Sequence, residues 1–202
     1  MAPRGVAIPD ARERLFAAAE RVLAREGPAG LTNRAVSEEA ECAKGLLYRH
    51  FSDLDDFVAQ LVLDRFELVA AELRSLPARA GRGDVRENLS GAALALLDRY
   101  GPGMAAVAVS RNGVAERVRH AWAGGAAGPD TVEAVMARYL EAEQRLGRIA
   151  EDADCAMIAL ALAGTVHHLL MRGGAEPADR QELVRRLVAT LTGTLPVPGA
   201  PA

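Results

Sequence analysis

Two short helical segments joined by a tight turn are predicted between residues 31 and 51, in the stretch LTNRAVSEEAECAKGLLYRHF. Thr32 is a favourable N-cap for the first segment, which is expected to end near Ala40. The second segment is predicted from Lys44, the only lysine among the 202 residues, to His50. Two short helices with apolar inner faces and a tight turn between them are typical of a helix-turn-helix.

The spacing of the second segment separates an inner face from an outer face. Leu47 and Phe51 lie four residues apart, so both are predicted to point inward. The outer side is left with Lys44, Gly45, Leu46, Arg49 and His50. Lysine and arginine side chains presented in this way can pair with guanine acceptors in the major groove of DNA. The alternative interpretation of the same pattern is an ordinary helical hairpin with a solvated polar face.

Composition favours helix throughout the chain. Half of the residues are hydrophobic but only 4% are aromatic, and Ala, Leu, Arg and Glu abound. We therefore predict an all-α fold of about nine helices. Residues 1–52 would form a three-helix, helix-turn-helix domain, residues 53–195 a larger helical domain, and residues 196–202 a disordered tail.

Charge and cysteine usage limit the function classes only loosely. The net charge is −3, and residues 1–54 carry eight basic and eight acidic side chains, so any nucleic-acid contact must come from local placement of charge. Cys42 and Cys155 have apolar neighbours and are predicted to be reduced thiols in a cytoplasmic protein. No apolar leader is visible, and the apolar run over residues 155–166 is predicted to be too short to span a bilayer.

Residues 12–62 resemble the DNA-binding domain of the TetR family of transcriptional regulators. The segment Gly45 to Phe51, GLLYRHF, looks like the family signature Gly-x-Leu-Tyr-x-His-Phe. Ala18, Ala19, Gly27 and the pair Leu31-Thr32 also match. The rest of the chain matches the family only in its helix content. The resemblance implies an N-terminal domain that binds double-stranded DNA at a palindromic operator.

The resemblance also implies a role for each matching residue. Thr32 and Asn33 would lie against a phosphate, Arg34 would reach a base, Lys44, Gly45, Leu46 and Arg49 would line the groove, and Tyr48 and His50 would hold the DNA backbone. Two departures from the family pattern concern this site. Glu41-Cys42-Ala43 replaces the usual Gly-Val-Ser of the turn, and Leu54 replaces a phosphate-binding lysine, for which Arg4 and Arg12 are candidate substitutes.

In the family, the C-terminal part is a ligand-sensing and dimerisation domain. A nearly all-apolar helix from residue 155 to 171 and a final helix with an apolar face predict a homodimer through a four-helix bundle. The candidate residues for an effector pocket are Phe66, Leu97, Tyr100, Met104, Trp122, Met136, Tyr139, His167 and Met171. Aromatic and methionine side chains favour a small apolar or aromatic ligand. His167 and His168 are adjacent and so unsuited to a helical metal pair, and we predict neither metal nor cofactor.

The function predicted from these features is that of a ligand-responsive DNA-binding regulator, a repressor released from its operator by a small molecule. The sequence contains no P-loop, strand-linked GxGxxG, GxSxG or HExxH motif, so an enzyme is not predicted. No membrane partner is predicted either. Two alternatives stay open: a constitutive DNA-binding regulator without an effector, and a helical protein-interaction module.

Overall fold

The computed structural model describes residues 11–172 and 177–193, and in these residues every regular element is a helix. The α-helices are α1 (Ala11–Gly30), α2 (Asn33–Glu39), α3 (Leu46–His50), α4 (Leu54–Leu73), α5 (Val85–Tyr100), α6 (Pro102–Ser110), α7 (Asn112–Ala123), α8 (Pro129–Arg145), α9 (Cys155–Arg172) and α10 (Pro177–Gly193). A 3-10 turn, Leu76–Arg79, follows α4. The all-α prediction is confirmed. The predicted tail 196–202 and Arg4 lie outside the described residues.

The first helices end and begin where their residues favour it. Gly27 interrupts α1 with φ 68° and ψ −173°, a backbone conformation that a glycine adopts without a steric penalty. The side chain of Thr32 caps α2 as predicted, because its hydroxyl accepts a hydrogen bond from the Ala35 amide at 3.1 Å. Asp84 caps α5 in the same way and accepts from the amides of Arg86 and Glu87.

The chain divides into two compact units that differ from the predicted domains. The first unit contains the described residues through Val62 together with the segment Gly103–His120. The second contains Leu63–Pro102 and the described residues from Ala121 onward. The predicted boundary at residue 52 fell at the start of α4, whereas α4 begins in the first unit and continues into the second. The segment Gly103–His120 also joins the first unit, which no local pattern indicated.

Three phenylalanines form the aromatic core of the first unit. The Phe51 ring lies 5.8 Å from Phe16 and 4.9 Å from Phe57, and Phe16 and Phe57 lie 5.6 Å apart. The guanidinium of Arg12 covers this cluster, 4.8 Å from the Phe16 ring centroid, and donates to Oε1 of Gln60 at 2.7 Å. Arg12, predicted as a candidate substitute for the missing phosphate contact, is exposed, and its guanidinium contacts the aromatic core and α4.

A buried polar network lies in the second unit, where α8 packs against α5 and α9. Tyr139 and Glu143 are fully buried, and the Tyr139 hydroxyl donates to Oε1 of Glu143 at 2.7 Å. Asn88 on α5 donates to the same hydroxyl at 3.0 Å, and the Gly81 amide donates to Oε2 of Glu143 at 3.1 Å. Burial, reinforced by the bond to Glu143, raises the pKa of Tyr139 well above its usual range. Each buried oxygen of the network therefore has a partner.

Helix α9 has two different sides. Its buried residues, among them Leu162, Val166 and Leu170, recur at helical spacing and form the side that packs on α5, α8 and α10. By length and composition alone, α9 could also cross a membrane, since its 18 residues have a mean hydropathy of 1.4. The prediction that the apolar run is too short to span a bilayer rested on residues 155–166, whereas the helix continues to Arg172.

Candidate nucleic-acid interface

The turn between α2 and α3 is fixed by polar contacts from both preceding helices. The Cys42 amide donates to the carbonyl of Ser37 at 3.0 Å, and Arg14 on α1 donates to the carbonyl of Ala40 at 2.9 Å. The Ser37 side chain is buried, and its hydroxyl donates to Oδ1 of Asn33 at 3.3 Å. These hydrogen bonds hold the backbone of the turn in one conformation.

Helix α3 begins two residues later than predicted. Lys44 and Gly45 form a turn, in which the Leu46 amide donates to the carbonyl of Ala43 at 2.8 Å, and the helix runs from Leu46 to His50. Neither Ala43 nor Gly45 has a side chain that can cap the helix, so its first amides receive no side-chain acceptor. Lys44 therefore stands at the entry to α3 and is not on its first turn.

The inner and outer faces of α3 agree with the prediction. Leu47 is fully buried and Phe51 is 3% exposed. Tyr48 is 57% exposed, which is unusual for a large aromatic side chain. The other exposed residues of this face are Lys44, Gly45, Arg49 and His50, and Leu46 is half-buried.

The predicted contacts on α2 have partners within the protein. Thr32 is exposed, but its hydroxyl caps α2. Asn33 is half-buried and donates to the carbonyl of Lys44 at 3.5 Å, so it supports the turn. Arg34 forms an exposed ion pair with Glu38 at 2.8 Å, one helical turn later. This pair was not predicted from the sequence, although the i, i+4 spacing of opposite charges was a signal for it.

Positive charge beside α2 is also neutralised. Arg21 and Arg25 on α1 both donate to the carboxylate of Glu39, at 2.6 and 2.9 Å. The hydrogen bond from Arg21, with that from Arg25, lowers the pKa of Glu39, which therefore stays ionised. In the part of the chain that the structure describes, Lys44 and Arg49 form no ion pair. The structure thus concentrates uncompensated positive charge at α3 and its entry turn.

Glu41 adopts a left-handed backbone conformation, with φ 49°, at the start of this turn. It is the one non-glycine residue with positive φ among the described residues. A side chain at such a position costs roughly 1–2 kcal/mol relative to glycine-like freedom. The family pattern has glycine at the position of Glu41. Replacing that glycine by glutamate therefore leaves the turn in the same left-handed conformation but adds local backbone strain.

The residues predicted to line an effector pocket do not form one set. Phe66, Leu97, Met136 and Tyr139 are buried in the second unit, and Met104 is buried in the first. The predicted pocket position of His167 and Met171 is corrected by the structure, because both side chains lie on the exposed side of α9, away from its packed side. The side chain of Tyr100 lies outside the described residues.

Trp122 is the pocket candidate that lies beside a cavity. Its ring meets Phe66 edge to face, with centroids 5.5 Å apart, and its indole nitrogen is buried without a hydrogen-bond partner among the described residues. A cavity of about 220 Å³ adjoins it. The cavity is lined by Trp122, Gly125, Ala126, Gly128, Pro129, Asp130 and Thr131.

Replacing Glu41 by glycine is expected to stabilise the protein by roughly 1 kcal/mol, because the left-handed conformation then carries no Cβ penalty. The measurement is the free energy of unfolding in urea. Glu41→Gln is the matched control, since it removes the charge but keeps the side chain, and it should leave stability unchanged within about 0.5 kcal/mol. Equal stabilisation by both substitutions would show that charge, not backbone strain, is the cause.

Residues 15–61 match the model for bacterial regulatory proteins of the tetR family. No curated protein sequence matches the chain. The fold is similar to that of Escherichia coli NemR in its reduced form, with TM-score 0.71 and 17% identity, over 95% of this chain and 100% of that one. It is also similar to the TetR-family regulator PfmR from Thermus thermophilus, with TM-score 0.67 and 15% identity, over 89% and 97% of the two chains.

A further similar structure is FadR from Bacillus subtilis in complex with stearoyl-CoA, with TM-score 0.65 and 13% identity, over 91% of this chain and 99% of that one. At such low identities the solved structures establish the fold alone, and the match to the family model is confined to residues 15–61. Over residues 15–61 the chain matches the tetR family of bacterial regulatory proteins, and over the described residues its fold is similar to those of NemR and of the TetR-family regulator PfmR.

Proposed function

We propose that the protein binds operator DNA by placing α3 and its entry turn in the major groove. The observation that carries the proposal is the division of faces on α3. Leu47 and Phe51 anchor the helix in the core, whereas Lys44, Tyr48 and Arg49 are exposed. A groove-reading helix needs this arrangement, because its base contacts must project from a rigidly held backbone.

The proposed contacts follow from the chemistry of each side chain. Lys44 and Arg49 can donate to guanine O6 and N7 or to phosphates, and Tyr48 and His50 can donate to phosphates. Gly45 permits a close approach of the backbone to the DNA. Arg34 donates through Nε to Glu38, which offsets its charge, so we assign it a lesser role. Thr32 and Asn33 then act mainly by holding the turn.

A homodimer is part of the proposal, because a palindromic operator needs two reading helices related by a twofold axis. The support for it is an exposed apolar stripe on the last two helices. Met157 and Leu160 on α9 are 55% and 46% exposed, and Leu183 on α10 is 41% exposed. Packing α9 and α10 against the same helices of a second copy would bury this stripe in a four-helix bundle.

An effector is the third part of the proposal, and the cavity beside Trp122 supports it. The cavity combines an aromatic wall with an indole N–H that can donate to a ligand oxygen. Its volume of about 220 Å³ fits a small apolar or aromatic molecule better than a long acyl chain such as the one that FadR of Bacillus subtilis binds. We propose that this ligand releases a cytoplasmic repressor from DNA.

Substituting Lys44 by alanine should weaken operator binding about 10- to 100-fold and reduce the salt dependence by about one ion, because one cationic contact to DNA is lost. The measurement is fluorescence anisotropy with a duplex that the wild-type protein selects from a random-sequence library. Lys44→Arg should retain most of the affinity. Arg145→Ala, which removes the same charge from an exposed position in the second unit, serves as the control. Equal losses from Lys44→Ala and Arg145→Ala would contradict the proposed interface.

Substituting Leu160 by glutamate should convert the dimer to a monomer, because two charges would be buried in the apolar bundle. Light scattering at micromolar concentration measures the mass. Leu146→Glu is the matched control, since Leu146 is 57% exposed but lies at the C-cap of α8, outside the stripe. A wild-type monomer, or an intact dimer in Leu160→Glu, would remove the four-helix bundle from the proposal.

Binding of an effector beside Trp122 should change the fluorescence of the protein and release its DNA in parallel. Trp122 is the only tryptophan, so its emission reports this site alone. A panel of small aromatic and apolar compounds is titrated into the complex with the selected duplex, and emission and anisotropy are recorded together. Compounds that change the emission without releasing DNA would favour the constitutive regulator. Release of DNA without a change in emission would place the effector elsewhere.

A further inference from the structure

Two ion pairs join the start of α4 to the N-terminal half of α7 and the residue before it, within the first unit. Nε of Arg111 donates to Oδ1 of Asp55 at 2.6 Å, and Nη2 of Arg117 donates to Oδ2 of Asp53 at 2.8 Å. The partners are 56 and 64 residues apart in sequence. We call these four side chains the α4–α7 clamp. None of them belongs to the turn or to α3, so the proposed DNA contacts do not explain the clamp.

The backbone of α7 approaches Asp55 very closely. A Cβ atom on Gly113 would overlap Oδ2 of Asp55, so only a glycine fits at this position without displacing the carboxylate. The carboxylate of Asp55 therefore lies at the N-terminal end of α7, where the helix dipole favours negative charge. Arg111, just before the same helix end, is unfavourably placed unless an anion neutralises it.

The two carboxylate oxygens of Asp53 make different contacts at the start of α4. Its Oδ1 accepts from the Asp56 amide at 2.7 Å and caps the helix, while its Oδ2 binds Arg117. Ser52 donates from its amide and its hydroxyl to Oδ2 of Asp56, at 2.8 and 3.2 Å. The first turn of α4 is thus held by its own capping bonds and by α7 together.

This first turn lies directly beyond the recognition helix. Phe51 is the C-cap of α3, and only Ser52 and Asp53 separate it from α4. The Phe51 ring packs on Phe57 of α4 with centroids 4.9 Å apart. A shift of the α4 start relative to α7 would therefore change the direction in which α3 presents Lys44 and Arg49.

We propose that Arg111 and Arg117 are positioning residues for DNA binding, which set operator affinity by holding the start of α4 in the DNA-binding arrangement. The inference rests on the proposed function of α3. It extends the DNA-binding machinery to a segment that follows α3 by about sixty residues in the chain and is joined to the start of α4 by two ion pairs. Further along the same two helices, Phe66 of α4 and Trp122 of α7 meet beside the effector cavity.

Asp55→Asn distinguishes the clamp from general electrostatics. It removes a negative charge from the DNA-binding unit, so long-range attraction alone would tighten DNA binding. The clamp requires the opposite, because Arg111 then loses its ionic partner and the start of α4 is less constrained. We expect operator affinity to fall by at least about fivefold, the low end of coupling between distant sites. The probe is the duplex selected by the wild-type protein, and binding is measured where circular dichroism shows every variant to be folded.

A double-substitution cycle tests whether the two partners act as one unit. Arg111→Gln should weaken operator binding as Asp55→Asn does. The double variant should lose no more affinity than the single variant that loses the most. Arg111→Lys should restore affinity to within about twofold, because the cation is kept. Arg119→Gln is the matched control on the same helix, since Arg119 is exposed and forms no ion pair in the described region. Additive losses, or an equal loss in Arg119→Gln, would overturn the clamp.

Gly113→Ala tests the same contact with no change of charge. The added methyl should displace the Asp55 carboxylate and weaken operator binding at least about fivefold. Gly91→Ala, at a helical glycine with open space around it, should leave affinity unchanged. If Gly113→Ala does not fold, the sign of the Asp55→Asn effect decides alone. Selection of no duplex by the wild-type protein would refute the proposed function, whereas a selected duplex that Asp55→Asn binds equally well or more tightly would refute only the clamp.

Discussion

Helix α3, the proposed recognition helix, has only five residues, Leu46–His50, and cannot be stable by itself. The stability and the orientation of α3 depend on the burial of Leu47 and Phe51 in the core of the first unit. The ring of Phe51 is enclosed by Phe16 and Phe57, and Arg12 covers the cluster. Dispersion and hydrophobic burial in this small aromatic core therefore fix a helix whose own hydrogen bonds are too few to do so. The direction of the side chains that we propose to contact DNA follows from this packing.

Charge plays a more selective part than in a broadly basic DNA-binding domain. Most arginines of α1 and α2 are engaged by carboxylates or by the aromatic core, among them Arg21, Arg25 and Arg34. The uncompensated cations that the structure places at the proposed interface, Lys44 and Arg49, are few. Affinity should then depend strongly on how precisely a few contacts are held and less on diffuse attraction to phosphate. The proposed positioning contacts at the start of α4 are therefore expected to matter for operator affinity.

Local spacing was sufficient to predict the helix-turn-helix, the Thr32 cap and the inward direction of Leu47 and Phe51, because these depend on neighbours within one or two turns. The start of α3 was predicted two residues too early, because Ala43 has no side chain that can cap a helix and Lys44 and Gly45 form a turn instead. Ion pairs between residues far apart in the chain could not be predicted from local spacing. The contacts between α4 and α7 join residues that are 56 and 64 positions apart, and helical periodicity carries no information about them. The exposed side of α9, likewise, could be assigned only once the packing partners of that helix were known.

The most direct test of the central claim is protection of guanine N7 atoms from methylation in the selected duplex. N7 lies in the major groove, so only a protein group that enters this groove shields it. A dimer with α3 in the groove predicts two clusters of protected guanines centred one helical turn apart, about 34 Å along the DNA axis. Bound DNA with no protected N7 atoms would contradict insertion of α3 into the major groove, even if affinity for the duplex were high.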